Sequence, residues 1–201
     1  MKTIARLSVV SLAAVSGLFF APTEAHAADS THGPWYVQGS PIGFASFTTC
    51  FDGIRLDANA VPHTQSICGS SGAYRVSVEG GYHFSGRHDG FVLGLRQTLL
   101  IAGGVGGLTQ VRAGWDIPIP IKDFELTIAP YGVVGVAYAF SGGSPSLALG
   151  AGIDVKFFFM NPESSAKGLF AYAQPIEIGG AFAGAFSGLV IQAGVGMGYA
   201  F

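Results

Sequence analysis

The chain has 201 residues, a formal net charge of −2 and 11% charged residues, against roughly 25% in ordinary soluble domains. That balance excludes the basic patch a nucleic-acid partner needs, and no uninterrupted run of about 18 strongly apolar residues exists to form a spanning helix. Mean hydropathy is nevertheless high at +0.46 with 31 glycines, each costing about 1 kcal/mol inside a helix; high hydropathy without long apolar runs is what alternating strands produce.

The N-terminus reads as a secretory signal peptide. Lys2 and Arg6 give a basic start, Leu7 to Phe20 is apolar, and Ala25-His26-Ala27 matches a small-x-small cleavage pattern. Cleavage after Ala27 leaves residues 28–201 as one domain with 8 basic and 11 acidic residues, net −3 once Lys2, Arg6 and Glu24 are removed. A retained anchor is the alternative. An exported chain meets oxidising conditions, so Cys50 and Cys68 are expected to pair, with two free thiols as the alternative. Such a bridge contributes roughly 3 kcal/mol by restricting the unfolded chain. No Cys/His cluster points to a metal, and no cofactor motif is present.

Eight strands follow in order. Strand one, Trp35 to Phe47, alternates poorly, and Pro41 and Gly43 predict a bulge or bend. Thr48 to Gly72 holds both cysteines and reads as a large stapled loop. Strand two, Ala73 to Phe84, sets Tyr74, Val76, Val78, Tyr82 and Phe84 against Arg75, Ser77, Glu79 and His83. Strand three, Phe91 to Ile101, sets Phe91, Leu93, Leu95, Leu99 and Ile101 against Gly94, Arg96 and Thr98. Gly103 to Gly107 reads as a tight connection. Strand four, Leu108 to Ile119, sets Val111, Ala113, Trp115 and Ile117 against Gln110, Arg112, Gly114 and Asp116. Strand five, Phe124 to Phe140, opposes Glu125, Thr127, Tyr131 and Gly135 to a large apolar face. Strand six, Ser146 to Phe159, opposes Gly150, Gly152, Asp154 and Lys156 to Leu147, Leu149, Ile153, Val155, Phe157 and Phe159. Strand seven, Gly168 to Gly179, is read with Phe170, Tyr172, Ile176 and Ile178 outward and Glu177 inward; Gly180 to Phe186 leads into the last strand.

That last strand, Ser187 to Phe201, is the most informative. Leu189, Ile191, Ala193, Val195, Met197, Tyr199 and Phe201 share one face, and Gly188, Val190, Gln192, Gly194, Gly196, Gly198 and Ala200 share the other. A wide apolar face backed by glycine suits a strand with lipid outside and a narrow lumen inside. It resembles the C-terminal strand of bacterial outer-membrane β-barrels, and the chain as a whole resembles the small eight-stranded OmpA/OmpX-like type. The resemblance implies an all-β fold, a closed eight-stranded antiparallel up-and-down transmembrane barrel. It also implies the outer membrane of a Gram-negative bacterium, with lipid and lipopolysaccharide as surroundings. The barrel-assembly machinery is the implied partner, with Tyr199 and Phe201 forming the signal it reads. Closure itself is physically required, because hydrocarbon does not tolerate an open sheet edge. A helical membrane protein is the alternative suggested by Gly180, Gly184 and Gly188 at small-xxx-small spacing, but period-two alternation continues through Gly188.

With both termini placed in the periplasm, every strand carries an aromatic near that side: Trp35 and Tyr36, Tyr82 and Phe84, Phe91, Trp115, Phe124, Phe157 and Phe159, Phe170 and Tyr172, Tyr199 and Phe201. The opposite rim is sparser, with Phe44, Phe47, Tyr74, Tyr138 and Phe140. The Thr48–Gly72 segment is then extracellular, with no ligand legible. The inward set contains Arg75, Arg96, Arg112 and Lys156 with Glu79, Asp116, Glu125, Asp154 and Glu177, read as an ion-pair network that braces and plugs the lumen. A narrow path for water or small ions is the alternative, because inward glycines leave room. A lipid A-modifying barrel enzyme is a third. His83 and His88 lie at the wrong end for that chemistry, His32 precedes strand one, and His63 has only Thr64, Gln65 and Ser66 as candidate partners. The expected function is non-enzymatic.

Overall fold

The structure, a computed structural model, describes residues 34–56, 62–86, 89–121, 124–140, 142, 144–159, 168–183 and 186–201. The proposed signal peptide, His32, His88 and the 161–165 turn lie outside them. Eight strands follow one another: β1 (Trp35–Leu56), β2 (Pro62–His83), β3 (Gly90–Ala102), β4 (Gly104–Ile121), β5 (Phe124–Ala139), β6 (Ser146–Phe158), β7 (Leu169–Ala183) and β8 (Phe186–Ala200). Each pairs antiparallel with the next, and β8 returns to β1, so the sheet is a closed barrel. Trp35 and Phe201 exchange two backbone hydrogen bonds, of 3.1 and 2.8 Å, at the end where the chain enters and leaves.

Alternation dictates the two surfaces. In β5, Thr127, Ala129, Tyr131 and Val133 are buried inside, while Ile128, Val134 and Val136 face out. Across the barrel the exposed large residues are outward ones such as Trp115, Ile153, Ile178, Ile191 and Met197. Some polar side chains on that surface satisfy one another locally. Gln97, on the outward side of β3, donates to the Tyr138 hydroxyl at 2.7 Å and accepts from Thr109 Oγ1 at 2.6 Å.

Two bulges reverse the phase of the alternation. In β1 the register shifts between Ser40 and Gly43 against both neighbours, where Pro41 has no N–H to give the ladder and its carbonyl is taken by the Tyr74 hydroxyl. Tyr36, Gln38 and Ser40 point inward before the bulge; Gly43, Ala45 and Phe47 do so after it. In β7 the shift lies between Gln174 and Glu177, around Pro175. Phase set from Ile176 and Ile178 therefore fails upstream. Phe170 (1% exposed) and Tyr172 (5%) are inside the barrel, not on its outer surface. Tyr36 and Phe47 likewise leave the expected aromatic rims for the interior, and β7 adds no aromatic to the outer surface near the termini.

The expected 48–72 loop is instead strand. β1 and β2 stay in register to Leu56↔Pro62, with Cys50 directly opposite Cys68 and disulfide-bonded to it. β8 accompanies β1 only as far as Cys50, and β3 accompanies β2 only as far as Tyr74. Beyond those points the hairpin extends past the barrel with its pairing confined to its own two strands. The 103–107 connection also shrinks, since Ala102 already pairs with Gly104, and β7 continues to Ala183 where a lead-in is expected. Because the described residues of the arm pair with nothing else, loss of the bridge should be felt only there, at roughly 3 kcal/mol. Replacing Cys50 and Cys68 by serine should open residues 51–67 to protease while the barrel keeps its resistance to heating in detergent. Loss of barrel resistance would show that the arm is part of one cooperative unit.

Candidate functional site

The barrel interior is where polar side chains converge. At the end nearest the termini, Tyr36 from β1, Val92 from β3, Phe158 from β6, Phe170 and Tyr172 from β7, and Ala200 from β8 form a buried apolar cluster. Two of its rings lie over glycine. A Cβ at Gly81 would run into the Tyr36 ring, and one at Gly198 into the Phe170 ring. Phe158 and Phe170 sit 4.8 Å apart between centroids. Beside this cluster, Asp116 accepts from Lys156 Nζ at 2.5 Å and faces His83 Nε2 at 3.0 Å, while His83 Nδ1 faces the Pro34 carbonyl at 3.2 Å. Both ring nitrogens are thus engaged, which leaves His83 no free nitrogen with which to activate a nucleophile. Lys156 also lies 5.0 Å from the Tyr36 ring centroid.

The middle of the barrel is organised by Arg112. Its Nη1 contacts Glu79 at 2.7 Å and Asp154 at 2.9 Å, and its guanidinium lies 4.0 Å from the Tyr131 ring centroid. Tyr36 donates to Glu79 at 2.5 Å, and Gln38 donates to Asp154 at 3.4 Å. The next group toward the hairpin arm is built on Glu177. Arg96 Nη2 reaches both its carboxylate oxygens, at 2.8 and 2.6 Å, and Tyr131, Gln174 and Gln192 donate to it at 2.7, 2.8 and 3.0 Å. Arg96 in turn is held by Gln110 Oε1, while Arg75 donates to Gln174 at 2.6 Å and to Ser77 at 3.2 Å. A carboxylate with this many donors has its lone pairs taken up, so Glu177 is a hub and not a free acid.

No family model and no curated protein sequence matches the chain. Small outer-membrane barrels are among the solved structures similar to it. They include Neisserial surface protein A (13% identity, 83% of this chain and 97% of that one, TM-score 0.46). They also include Ail, the attachment invasion locus protein of Yersinia pestis (18%, 83% and 99%, TM-score 0.39), and the outer membrane protein OprG from Pseudomonas aeruginosa (14%, 86% and 99%, TM-score 0.35).

Of the charges singled out in the sequence, Glu79, Arg112 and Asp154 meet in one group, Arg96 and Glu177 in a second, and Asp116 and Lys156 in a third. Arg75 joins the second group through Gln174. Glu125 lies near the start of β5 and accepts from Thr127 Oγ1 at 3.2 Å. The neutral members that tie these groups together are Tyr36, Gln38, Gln110, Tyr131, Gln174 and Gln192, with His83; the strand patterns put Gln110, Tyr131, Gln192 and His83 inward, but not Tyr36, Gln38 or Gln174. The missing signal for Tyr36, Gln38 and Gln174 was phase, since a bulge separates each from the rest of its strand's inward set. The side chains of residues 63–66 lie outside the described residues, so the alternative nucleophile there has no geometry to report.

Removing one partner of a buried ion pair costs about 3–5 kcal/mol because the other charge is left uncompensated. Glu177→Gln should therefore lower the unfolding free energy of the refolded barrel by that amount in denaturant titration. The double change Glu177→Leu with Arg96→Met should recover most of it. A Glu177→Gln barrel as stable as the parent would mean the hub braces nothing.

Proposed function

We propose that the protein is a non-enzymatic integral membrane barrel of the Gram-negative outer membrane, with a braced and plugged lumen and a disulfide-stapled arm projecting beyond the cell surface. The observation that carries this reading is the outward apolar surface around all eight strands of a closed barrel. A soluble protein rarely exposes an apolar patch beyond a few hundred Å², whereas hydrocarbon demands such a surface together with complete backbone pairing. The sequence pattern of residues 1–27 supports export. The aromatic residues Trp35, Phe91, Trp115, Phe157 and Tyr199 near the terminal end support an interfacial belt there, in keeping with the orientation proposed, with both termini in the periplasm and the arm outside. Lipid and lipopolysaccharide are the surroundings this orientation implies.

The plug is supported by the rings of Tyr36, Phe158, Phe170 and Tyr172, which fill the terminal half, and by the ion pairs above them. The test combines two measurements on one preparation. An unboiled sample should migrate differently from a boiled one on a gel, and the refolded protein should give little or no conductance in planar bilayers. Identical migration with full solubility in buffer would overturn the membrane reading. Large, steady, weakly selective channels would overturn the plug and favour the pore reading.

Tyr199 and Phe201 are proposed as the assembly signal. Phe201 is 48% exposed and its ring stacks on Tyr199 with centroids 6.2 Å apart. Its side chain is worth about 1.5–3 kcal/mol at most when fully buried, little against a whole closed seam. Deleting Phe201 should reduce the amount inserted in cells several-fold while barrels refolded in detergent remain nearly as heat-resistant as the parent. Unchanged insertion would remove the recognition role. A collapse of detergent stability would instead make the Trp35–Phe201 contact a structural keystone.

A further inference from the structure

His83 lies inside the barrel at the end nearest the termini, and its two partners restrict its own chemistry. The ring is 1% exposed. Nδ1 lies 3.2 Å from the Pro34 carbonyl oxygen, and Nε2 lies 3.0 Å from Asp116 Oδ2. A carbonyl only accepts, and so does an ionised carboxylate. A neutral imidazole has one N–H and one lone pair, so it would serve one of these oxygens and turn a lone pair on the other. Protonating Asp116 instead conflicts with Lys156, whose Nζ donates to the same Oδ2 at 2.5 Å. The ring that fits both oxygens is the imidazolium. The titratable and charged groups around it are Asp116 from β4, Lys156 from β6 acting through Asp116, and Tyr36 from β1, whose ring centroid is 5.4 Å away. The Tyr36 hydroxyl is committed to Glu79 on β2, and the residue opposite His83 on β3 is the apolar Val92.

We propose that the folded barrel binds a proton at His83 and uses it as a latch on the terminal end of the seam. Charged, the ring donates on both sides and ties the lead into β1 to the Asp116–Lys156 pair. What it holds is the carbonyl of Pro34, which also accepts the His83 backbone N–H at 2.8 Å. The next residue, Trp35, exchanges the two backbone hydrogen bonds with Phe201 that finish the seam. Seating Pro34 therefore seats the last pair of the closed sheet. Neutral, the ring must give up one partner. The bond to the carboxylate is the stronger of the two, so the one lost is to Pro34 and the loosening falls on Trp35 and Phe201. The latch is complete while the ring carries both protons and is lost as pH rises through the ring's own titration. The ladders of the rest of the barrel have no share in it, so its release is local fraying and not unfolding.

The test follows the ring and the seam together, by NMR of the refolded full barrel in detergent across a pH series. Nitrogen-15 shifts of labelled histidine report the protons on the His83 ring, whose signal is the one missing from His83→Gln; heat-modifiable gel mobility confirms that this variant is folded. Hydrogen-exchange protection factors, which remove the direct effect of pH on exchange, report the Trp35 and Phe201 amides, with the Leu95 amide as a mid-barrel reference. In the parent, protection at Trp35 and Phe201 should fall about ten- to hundredfold in step with the loss of the ring proton, the range for one hydrogen bond to a charged group, while Leu95 is unchanged. His83→Gln has no such proton to lose, and its Trp35 and Phe201 should show the low protection at every pH. Protection that stays constant in the parent while the ring loses its proton would overturn the latch, as would a His83→Gln barrel protected as well as the charged parent. A fall shared by Leu95 would make the effect global and overturn it equally. A folded parent whose ring carries one proton throughout would overturn the proton site itself.

Discussion

The seam between β1 and β8 is the contact on which the rest depends. A sheet edge inside hydrocarbon would leave a row of amide and carbonyl groups with nothing to pair with, each costing several kcal/mol. The seam runs from Tyr36↔Ala200 to Cys50↔Ser187 and absorbs one register shift, between Gly39 and Ile42. Once it closes, every strand has two neighbours and every side chain is committed to the inside or the outside. The glycine face of β8 and the polar face of β2 then have only one place to go. The seam also sets the limit of the barrel. Where β8 stops accompanying β1, the remaining residues of β1 can pair only with β2, and the disulfide lies at that exit point.

Strand count, fold class and the outward face were legible because they depend on alternation alone, and alternation is written locally. What was not legible depends on phase or on partners. In β1, Pro41 and Gly43 announced a bulge and the bulge is there. In β7 Pro175 carries the same signal, and phase taken from Ile176 and Ile178 alone sets Phe170 and Tyr172 on the wrong surface. A one-residue slip moves a whole set of side chains across the sheet, so one missed bulge misplaced two of the rings that fill the lumen. The hairpin arm was hidden for another reason. Gly69, Ser70, Ser71 and Gly72 have low strand propensity, and only pairing against residues 46–49, in a ladder that also carries the bridge, makes them strand.

Glycine was misleading in a related way. Inward glycines suggest room, but several are seats for rings. Tyr36 covers Gly81 and Phe170 covers Gly198, so the residues that lack side chains are what permits the large ones to lie flat inside an eight-stranded barrel, whose interior is only wide enough for side chains to fill. The outer surface repeats the device, with Tyr138 over Gly107 and its hydroxyl accepting from Gln97. Among the described residues a hollow of about 270 Å³ lies in the half toward the arm.

These two halves decide what the charges do. If the ion pairs alone closed the lumen, passage would require only that side chains swing aside. Here Arg112 is held by Glu79 and Asp154 on different strands, and Glu79 is also bound by Tyr36, a member of the ring cluster. Moving Arg112 aside uncovers two carboxylates at once, each a cost of several kcal/mol when left buried and unpaired. Moving Tyr36 aside means displacing it from its place over Gly81 and from its neighbours on β6 and β7. The polar and apolar parts of the filling are therefore mechanically one object, joined through the Tyr36–Glu79 hydrogen bond. An ion would have to disrupt both to cross.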